Sequence, residues 1–294
     1  MDLGAAYRHE RCIESGGMLH AVLIGVNASR DPTILPLDYA CADAEDLADA
    51  LATKERGGEA RITLLVEEQA TKAQIARVIT DELPRRVSPD DTVLLYFAGY
   101  GSPELGDPGP EPSIHIVTHD TEQARLHATS INVLSELATW TRRLDVRAVA
   151  MILDTGFNGL PGGRSFEGPG LRSGPRTRAL DRISPARAAM GPHTALLTAC
   201  GEKEVAREEL SHEHGVFTHH LLGALRRLDH ELDRPSLRMI HQAVCEELET
   251  TPNRRQHPAI HGAASDVPLF SAGGAATMRG IGRSSTSARG HAFP

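Results

Sequence analysis

The chain has 294 residues, enough for one large α/β domain or two small ones, and either can bury a sizeable core. Its 40 % hydrophobic and 24 % charged residues are ordinary for a soluble globular protein, and no apolar run approaches the length of a membrane span. The net charge of −8 is unevenly placed: segment 160–192 holds six arginines against Glu167 and Asp181, and the tail 273–294 holds three arginines and no acid. That leaves an acidic body with two basic segments, unlike a nucleic-acid binder, whose charge sits on a folded face.

The N-terminus lacks a basic start followed by an apolar stretch, so no secretory signal is expected. The four cysteines, Cys12, Cys41, Cys200 and Cys245, are far apart and form no C-x-x-C. Neither a disulfide framework nor a structural zinc site is expected, and the simplest compartment is the cytosol.

After an N-terminal extension, 1–18, the run LHAVLIGV (19–26) is continuous and β-branched, the mark of a strand buried on both faces. Asp38 is placed to cap a helix whose Ala40, Ala44, Leu47, Ala48 and Leu51 share one face. RITLLVEE (61–68) reads as a second strand. Thr71 and Gln74 stand at capping-box spacing before a helix striped by Ile75, Val78, Ile79 and Leu83. DDTVLLYFAGYGS (90–102) is a third strand ending in a glycine turn, and PSIHIVTHD (112–120) reads as a short ribbon. SINVLSELATWTRRL is a helix, and VRAVAMILDTG a fourth main strand. Segment 160–192 is rich in Gly, Pro, Ser and Arg and reads as an exposed loop. HTALLTAC (193–200) is a fifth strand, two helices follow, and VPLF (267–270) is placed as the last strand before a disordered tail, 271–294. Strands alternating with helices argue for a mostly parallel sheet covered on both faces, with ligands beyond the carboxyl ends of the strands.

Two adjacent strand ends therefore matter most, FAGYGS (97–102) and LDTGFNG (153–159). A strand running into a tight turn, as LDTGFNG does, is where a reacting group is often presented, yet Gly156 stands at the crest and has no side chain. In these two turns the chain resembles the caspase and metacaspase family of cysteine peptidases. One family strand ends in F-x-G-H-G, whose His is the general base, and another in D-x-C-x-S-G, whose Cys is the nucleophile. HAVLIGV, LDYACADAEDLADAL, TALLTACGEKEVAREE, HGVFTHHLLGALR and QHPAIHG fit the same frame, and the likeness covers about residues 19–270. The resemblance implies a three-layer α-β-α sandwich around a mostly parallel sheet. It also implies a large-subunit-like part (19–159), the loop 160–192 and a small-subunit-like part (193–270).

Against that frame the His position is Tyr100 and the Cys position Gly156. Glycine offers no nucleophile, and a phenol of ordinary pKa near ~10 is a poor base at neutral pH. Loss of both groups implies loss of family-type hydrolysis, so no catalytic residue is expected to be intact. The resemblance further implies that Asp43 and Asp154 form an acidic pocket for Arg or Lys. Gly99 and Gly101 are placed to offer backbone N–H groups to a peptide carbonyl. Arg164, Arg172, Arg176, Arg178, Arg182 and Arg187 make the loop a candidate cleavage segment for a basic-specific protease.

The expected function is that of a dead caspase-like protein acting by binding: a regulator, decoy, scaffold or cleavage target. Its partner would be a protein or peptide, including an active caspase-like protease. One alternative is a cysteine endopeptidase cleaving after Arg or Lys with displaced groups such as Cys41 or Cys200. Another is a purely structural assembly module. A homodimer along the edge of the last strand is conceivable. No cofactor, metal, nucleic acid or membrane partner is expected, and His115, His119, His212, His214, His219 and His220 fit no recognisable ligand pattern.

Overall fold

The computed structural model describes residues 17–52, 60–103, 114–156, 163–165, 191–201, 204–231, 235–251 and 256–269. Strand β1 (Leu19–Gly25) pairs in parallel with β2 (Ala60–Val66) and with β3 (Thr92–Ala98). β3 pairs in parallel with β7 (Ala148–Asp154), and β7 with β8 (Thr194–Thr198). With β11 (Ala259–His261) antiparallel at one edge, the order is β11-β8-β7-β3-β1-β2. β1, β3, β7 and β8 are buried along their whole length. Their apolar runs are continuous because both faces are covered.

The two faces divide the side chains by strict alternation. On one face Leu19, Leu23, Leu94, Tyr96, Ile152 and Leu197 pack against helix α1 (Ala40–Ala52) and two later helices, α5 (Val216–Glu231) and α6 (Leu237–Thr250). On the other, Val22, Ile24, Leu95, Phe97, Met151 and Leu153 pack against Ile75, Val78, Ile79 and Leu83 from the segment opened by α2 (Lys72–Arg77). Val133, Leu137 and Ala138, where a π turn runs into α4 (Ala138–Thr141), complete that layer. The chain is an α/β sandwich around a mostly parallel sheet. A small antiparallel sheet of β4 (Gly101–Pro103), β5 (Ile114–Ile116) and β6 (Ile131–Asn132) stands beside it. The short helix α3 (Leu126–Thr129) lies between β5 and β6. A two-residue ribbon, β9 (Glu208–Glu209) antiparallel to β10 (His214–Gly215), leads into α5.

Local signals act as the sequence suggests in some places and differently in others. Thr71 caps α2 by accepting the Gln74 N–H at 3.2 Å, and Asn132 caps the following helical segment through the N–H groups of Leu134 and Ser135. At α1 the cap comes from Asn27, whose side-chain oxygen takes the Cys41 N–H at 3.0 Å, while Asp38 presents its own N–H to Glu208. Among the described residues the last strand is Ala259–His261, and at 267–269 the pairing is limited to a Ser236–Pro268 bridge. Among the described residues no helix is long and apolar enough to cross a membrane. Cys41, Cys200 and Cys245 form no disulfide with one another. The tail 271–294 lies outside the described residues.

Candidate functional site

The register Ala98↔Asp154 brings the ends of β3 and β7 side by side, so the Gly99–Gly101 turn faces the Asp154–Gly156 turn. Between them lies the short segment 163–165. Arg164 was expected in an exposed loop. It is instead 0 % exposed, the bulkiest fully buried side chain among the described residues. Backbone hydrogen bonds hold this segment from both sides. The Arg164 N–H donates to the Ala206 carbonyl at 2.8 Å, and Ser165 bridges in parallel to Gly101.

Three donors converge on the Arg164 carbonyl oxygen: the N–H of Gly156 at 2.8 Å, the N–H of Gly101 at 3.1 Å and the Thr155 hydroxyl at 3.2 Å. Two backbone N–H groups aimed at one carbonyl are the arrangement that steadies an oxyanion in acyl transfer. Gly99, named with Gly101 from the sequence, serves elsewhere: its N–H goes to the Asp154 carbonyl at 3.4 Å. Its φ of +154° and the Phe97 ring 2.9 Å from where a Cβ would stand keep the position for glycine.

The Arg164 side chain fills an acidic pocket. Nη1 meets Asp154 Oδ2 at 2.8 Å, and Nη2 bonds Asp43 Oδ2 and reaches Glu208 Oε1 at 3.0 Å. Burial alone would favour the neutral guanidine, but Asp154 and Asp43 outweigh it and hold the guanidinium charged. The planar fork suits this set, since Nη1 meets one carboxylate and Nη2 the other two. Each carboxylate is held in turn. Asp43 accepts the Gly215 N–H at 3.1 Å and lies 2.8 Å from His214 Nδ1. Glu208 accepts the N–H groups of Asp38 and Tyr39 at 2.9 and 3.0 Å, at the entry to α1. Asp154 Oδ2 accepts the Thr218 hydroxyl at 2.6 Å. Thr218 has spent its one hydrogen there, so Tyr96 donates to Thr218 Oγ1 across their 2.6 Å contact.

The charges of this pocket are set by its dryness. Burial pushes the Asp154 carboxyl up to about 6 even though Arg164 and Thr218 pull the other way. The bond to Asp43 raises the pKa of His214 above its ordinary value. Gly215 forms the floor: a Cβ there would stand 2.6 Å from Asp154 Oδ2 and 2.7 Å from Arg164 Nη1.

A side chain at Gly156 would press on the occupant of the groove. A Cβ built there meets the Ser165 Cβ at 3.2 Å and the Arg164 carbonyl at 3.5 Å. The crest of the turn is directly against the Arg164–Ser165 peptide. Tyr100 is half-buried and packs on Ile34, Val117 and Leu126, and burial raises its phenol above the ordinary value of 10. Of the displaced thiols, Cys41 bonds Glu67 and the Gly25 carbonyl, and burial pushes it up to about 12. Cys200 lies 4.0 Å from the Thr155 carbonyl, and burial with Asp154 nearby pushes it likewise to about 12.

The structure thus brings together Asp43, Asp154, Gly101, Tyr100, Gly156 and Arg164, and adds Glu208, His214, Gly215 and Thr218, which sequence reasoning missed. Arg172, Arg176, Arg178, Arg182 and Arg187 lie outside the described residues. His115 bonds the Ser130 hydroxyl and His119 the Ala28 carbonyl. Among the described residues no group of three or more His, Cys, Asp or Glu is placed to hold a metal ion.

Comparison with known proteins places this geometry in a family. The family model described as the caspase domain matches residues 18–269. A protein of Geobacter sulfurreducens superposes with a TM-score of 0.59 at 19 % identity, over 85 % of this chain and 97 % of its own. Caspase-1 from Spodoptera frugiperda superposes with a TM-score of 0.56 at 11 % identity, over 84 % of this chain and 87 % of its own. No curated protein matches by sequence. Both superpositions speak for the fold, and the family model covers nearly the whole described chain: the protein belongs to the caspase-domain family.

Proposed function

We propose that this chain is a caspase-fold pseudopeptidase that holds an arginine-bearing peptide segment without cutting it. The observation that carries the reading is the Arg164–Ser165 peptide. It is seated with its guanidinium among three carboxylates and its carbonyl on two N–H donors, and it lies against a glycine. Peptide cleavage requires an attacking thiolate and a base to shuttle its proton. Gly156 supplies no sulfur, and a phenol shifted above 10 is protonated at neutral pH and takes up no further proton as a base.

The rival endopeptidase reading needs Cys41 or Cys200 as nucleophile. A thiol pushed to about 12 is almost wholly protonated at neutral pH, and the thiolate is the reactive form. The binding reading therefore stands ahead of it. In this role the chain would serve an active caspase-like protease as regulator, decoy or scaffold in a reducing, cytosolic setting.

An Arg-ended fluorogenic peptide, offered with and without calcium, should yield no product above a buffer blank. A labelled Arg-ended peptide should bind where an Asp-ended one does not. Hydrolysis that vanishes on Cys200→Ala or Cys41→Ala would overturn the reading.

A further inference from the structure

The segment in the groove is selective in more than its arginine. A Cβ at Gly163 would stand 2.1 Å from Val205 Cγ1 and 2.3 Å from the Ala206 carbonyl, and the carbonyl is backbone that cannot swing aside. The residue before the arginine is therefore restricted to glycine. The residue after it, Ser165, is 5 % exposed and its Cβ lies in the closest contact with the Gly156 position, so only a small side chain fits. The arginine answers to Asp43, Asp154 and Glu208 together. The groove thus reads three consecutive residues, Gly-Arg-small, in an extended strand.

That tripeptide occurs twice in this chain. Arg164 and Arg283 are the only arginines preceded by glycine, and each is followed by serine: Gly163-Arg164-Ser165 and Gly282-Arg283-Ser284. Thirteen residue steps join Leu269 to Gly282, a reach of up to about 45 Å in extended chain, comparable to the breadth of a domain. The second copy lies in a segment with three arginines and no acid, a charge suited to an acidic groove.

We propose that the groove is a Gly-Arg-Ser site with two claimants in one chain, and that Gly282–Ser284 exchanges with Gly163–Ser165. This rests on the proposed arginine pocket and adds the glycine requirement and the competitor. An outside arginine peptide must then displace an internal one, so its apparent affinity is lowered by the fraction of time the groove is filled.

The test uses the full chain and a labelled peptide of residues 281–287, alongside its Gly282→Ala and Arg283→Ala forms. Gly163→Ala in the protein should expel the internal segment. The parent peptide should then bind that variant at least tenfold more tightly than the unmodified chain, and the Gly282→Ala peptide at least tenfold more weakly than the parent. Equal binding of the parent and Gly282→Ala peptides would overturn the Gly-Arg-Ser site while leaving the arginine pocket standing. Equal binding of the Arg283→Ala peptide would remove the pocket as well. Hydrogen exchange on the unmodified chain needs no groove variant. Arg283→Ala in the tail should slow exchange of the Arg164 N–H at least twofold, and excess parent peptide should hasten it. Exchange indifferent to both would overturn the competition.

Discussion

Two buried carboxylates, at opposite ends of the same parallel sheet, behave in opposite ways. Asp91 precedes β3 at the amino end, and Asp154 closes β7 at the carboxyl end. Asp91 accepts the N–H of Met18 at 2.6 Å, the N–H of Ser88 at 2.8 Å and His20 Nε2 at 3.2 Å. Burial would push it up, but these bonds outweigh burial and its pKa falls below the ordinary value. Asp154 shares one oxygen between Arg164 and Thr218, its Oδ1 has no hydrogen-bond partner among the described residues, and burial wins. The first carboxylate is completed by neighbouring backbone that cannot leave. The second is completed by a side chain on a short inserted segment. A parallel sheet keeps its ligands at the carboxyl end, and there the charge balance is left to a side chain from another segment.

The largest test of this contrast removes that partner. Arg164→Ala, made together with Arg283→Ala so that the second claimant cannot take its place, leaves Asp43, Asp154 and Glu208 facing one another without a counter-charge, and stability should drop by about 3–5 kcal/mol in urea unfolding. A drop under about 1 kcal/mol would mean that water fills the vacated pocket at no cost, and the pocket would then be open rather than dry. Asp91→Ala should come next, at about 2–4 kcal/mol, because it orphans the Met18 and Ser88 N–H groups. It should leave arginine-peptide binding unchanged. Weakened binding in that variant would show that the two ends are coupled, and the comparison would fail.

Acid separates the two carboxylates by sign. Asp154 is raised in the folded state, so the folded chain takes up its proton first, and this group favours folding as pH drops through about 6 toward its unfolded value near 3.8. The gain should be about 1 kcal/mol in melts between pH 7 and pH 5. Asp91 is depressed, so its stabilisation is present above the unfolded value and is lost only as pH falls through its lower folded pKa. Binding moves against folding at Asp154. An arginine lowers that carboxyl's pKa, so its arrival releases a proton, and affinity should rise with pH across and just above 6. His214 works in the same sense, since the protonated ring neutralises Asp43 at low pH. Titration of an Arg-ended peptide at pH 5 and pH 8 into the Gly163→Ala chain, whose pocket the internal arginine has left, should show about a tenfold difference, and a flat profile would place Asp154 outside the binding charge.

The strand ends that build the site were legible because β3 and β7 are unbroken apolar runs ended by glycine and aspartate, signals local to seven or eight residues. The acidic character of Asp43 and Asp154 came with the family resemblance. The occupant was not legible, because the glycine that sets Arg164 apart from the five later arginines of its loop gains its meaning only against Val205 and Ala206, which stand some forty residues further on. Its burial depends on Glu208, 44 residues away, and on Asp43, 121 residues away. Glu208, His214, Gly215 and Thr218 were hidden for the same reason, although they cluster before and within the start of α5. The edge strand was misplaced because VPLF is the more apolar stretch. Yet Pro268 cannot donate to a ladder, and Leu269 is spent in the core at 3 % exposure, while the half-buried Ala259–His261 meets β8.

The smallest expected effect lies behind the pocket. Thr218→Val keeps the branched shape and removes the hydroxyl that donates to Asp154 Oδ2 and accepts from Tyr96. The fold should lose about 1–2 kcal/mol, the net worth of the two buried hydrogen bonds that go with it. The Asp154 pKa should climb further, since a bond that favoured its charged form is gone. At pH 7 more of the pocket is then neutral, so in the Gly163→Ala background, where no internal arginine competes, an arginine peptide should bind roughly three- to tenfold more weakly, with the deficit shrinking at pH 8.5 as Asp154 ionises. A structural role alone would lower stability and leave that pH dependence where it was. Thr218→Ser, which restores the donor, should recover the profile. If it recovers stability but not the profile, Thr218 packs against the pocket without tuning it, and the contrast between the two ends of the sheet rests on Arg164 alone.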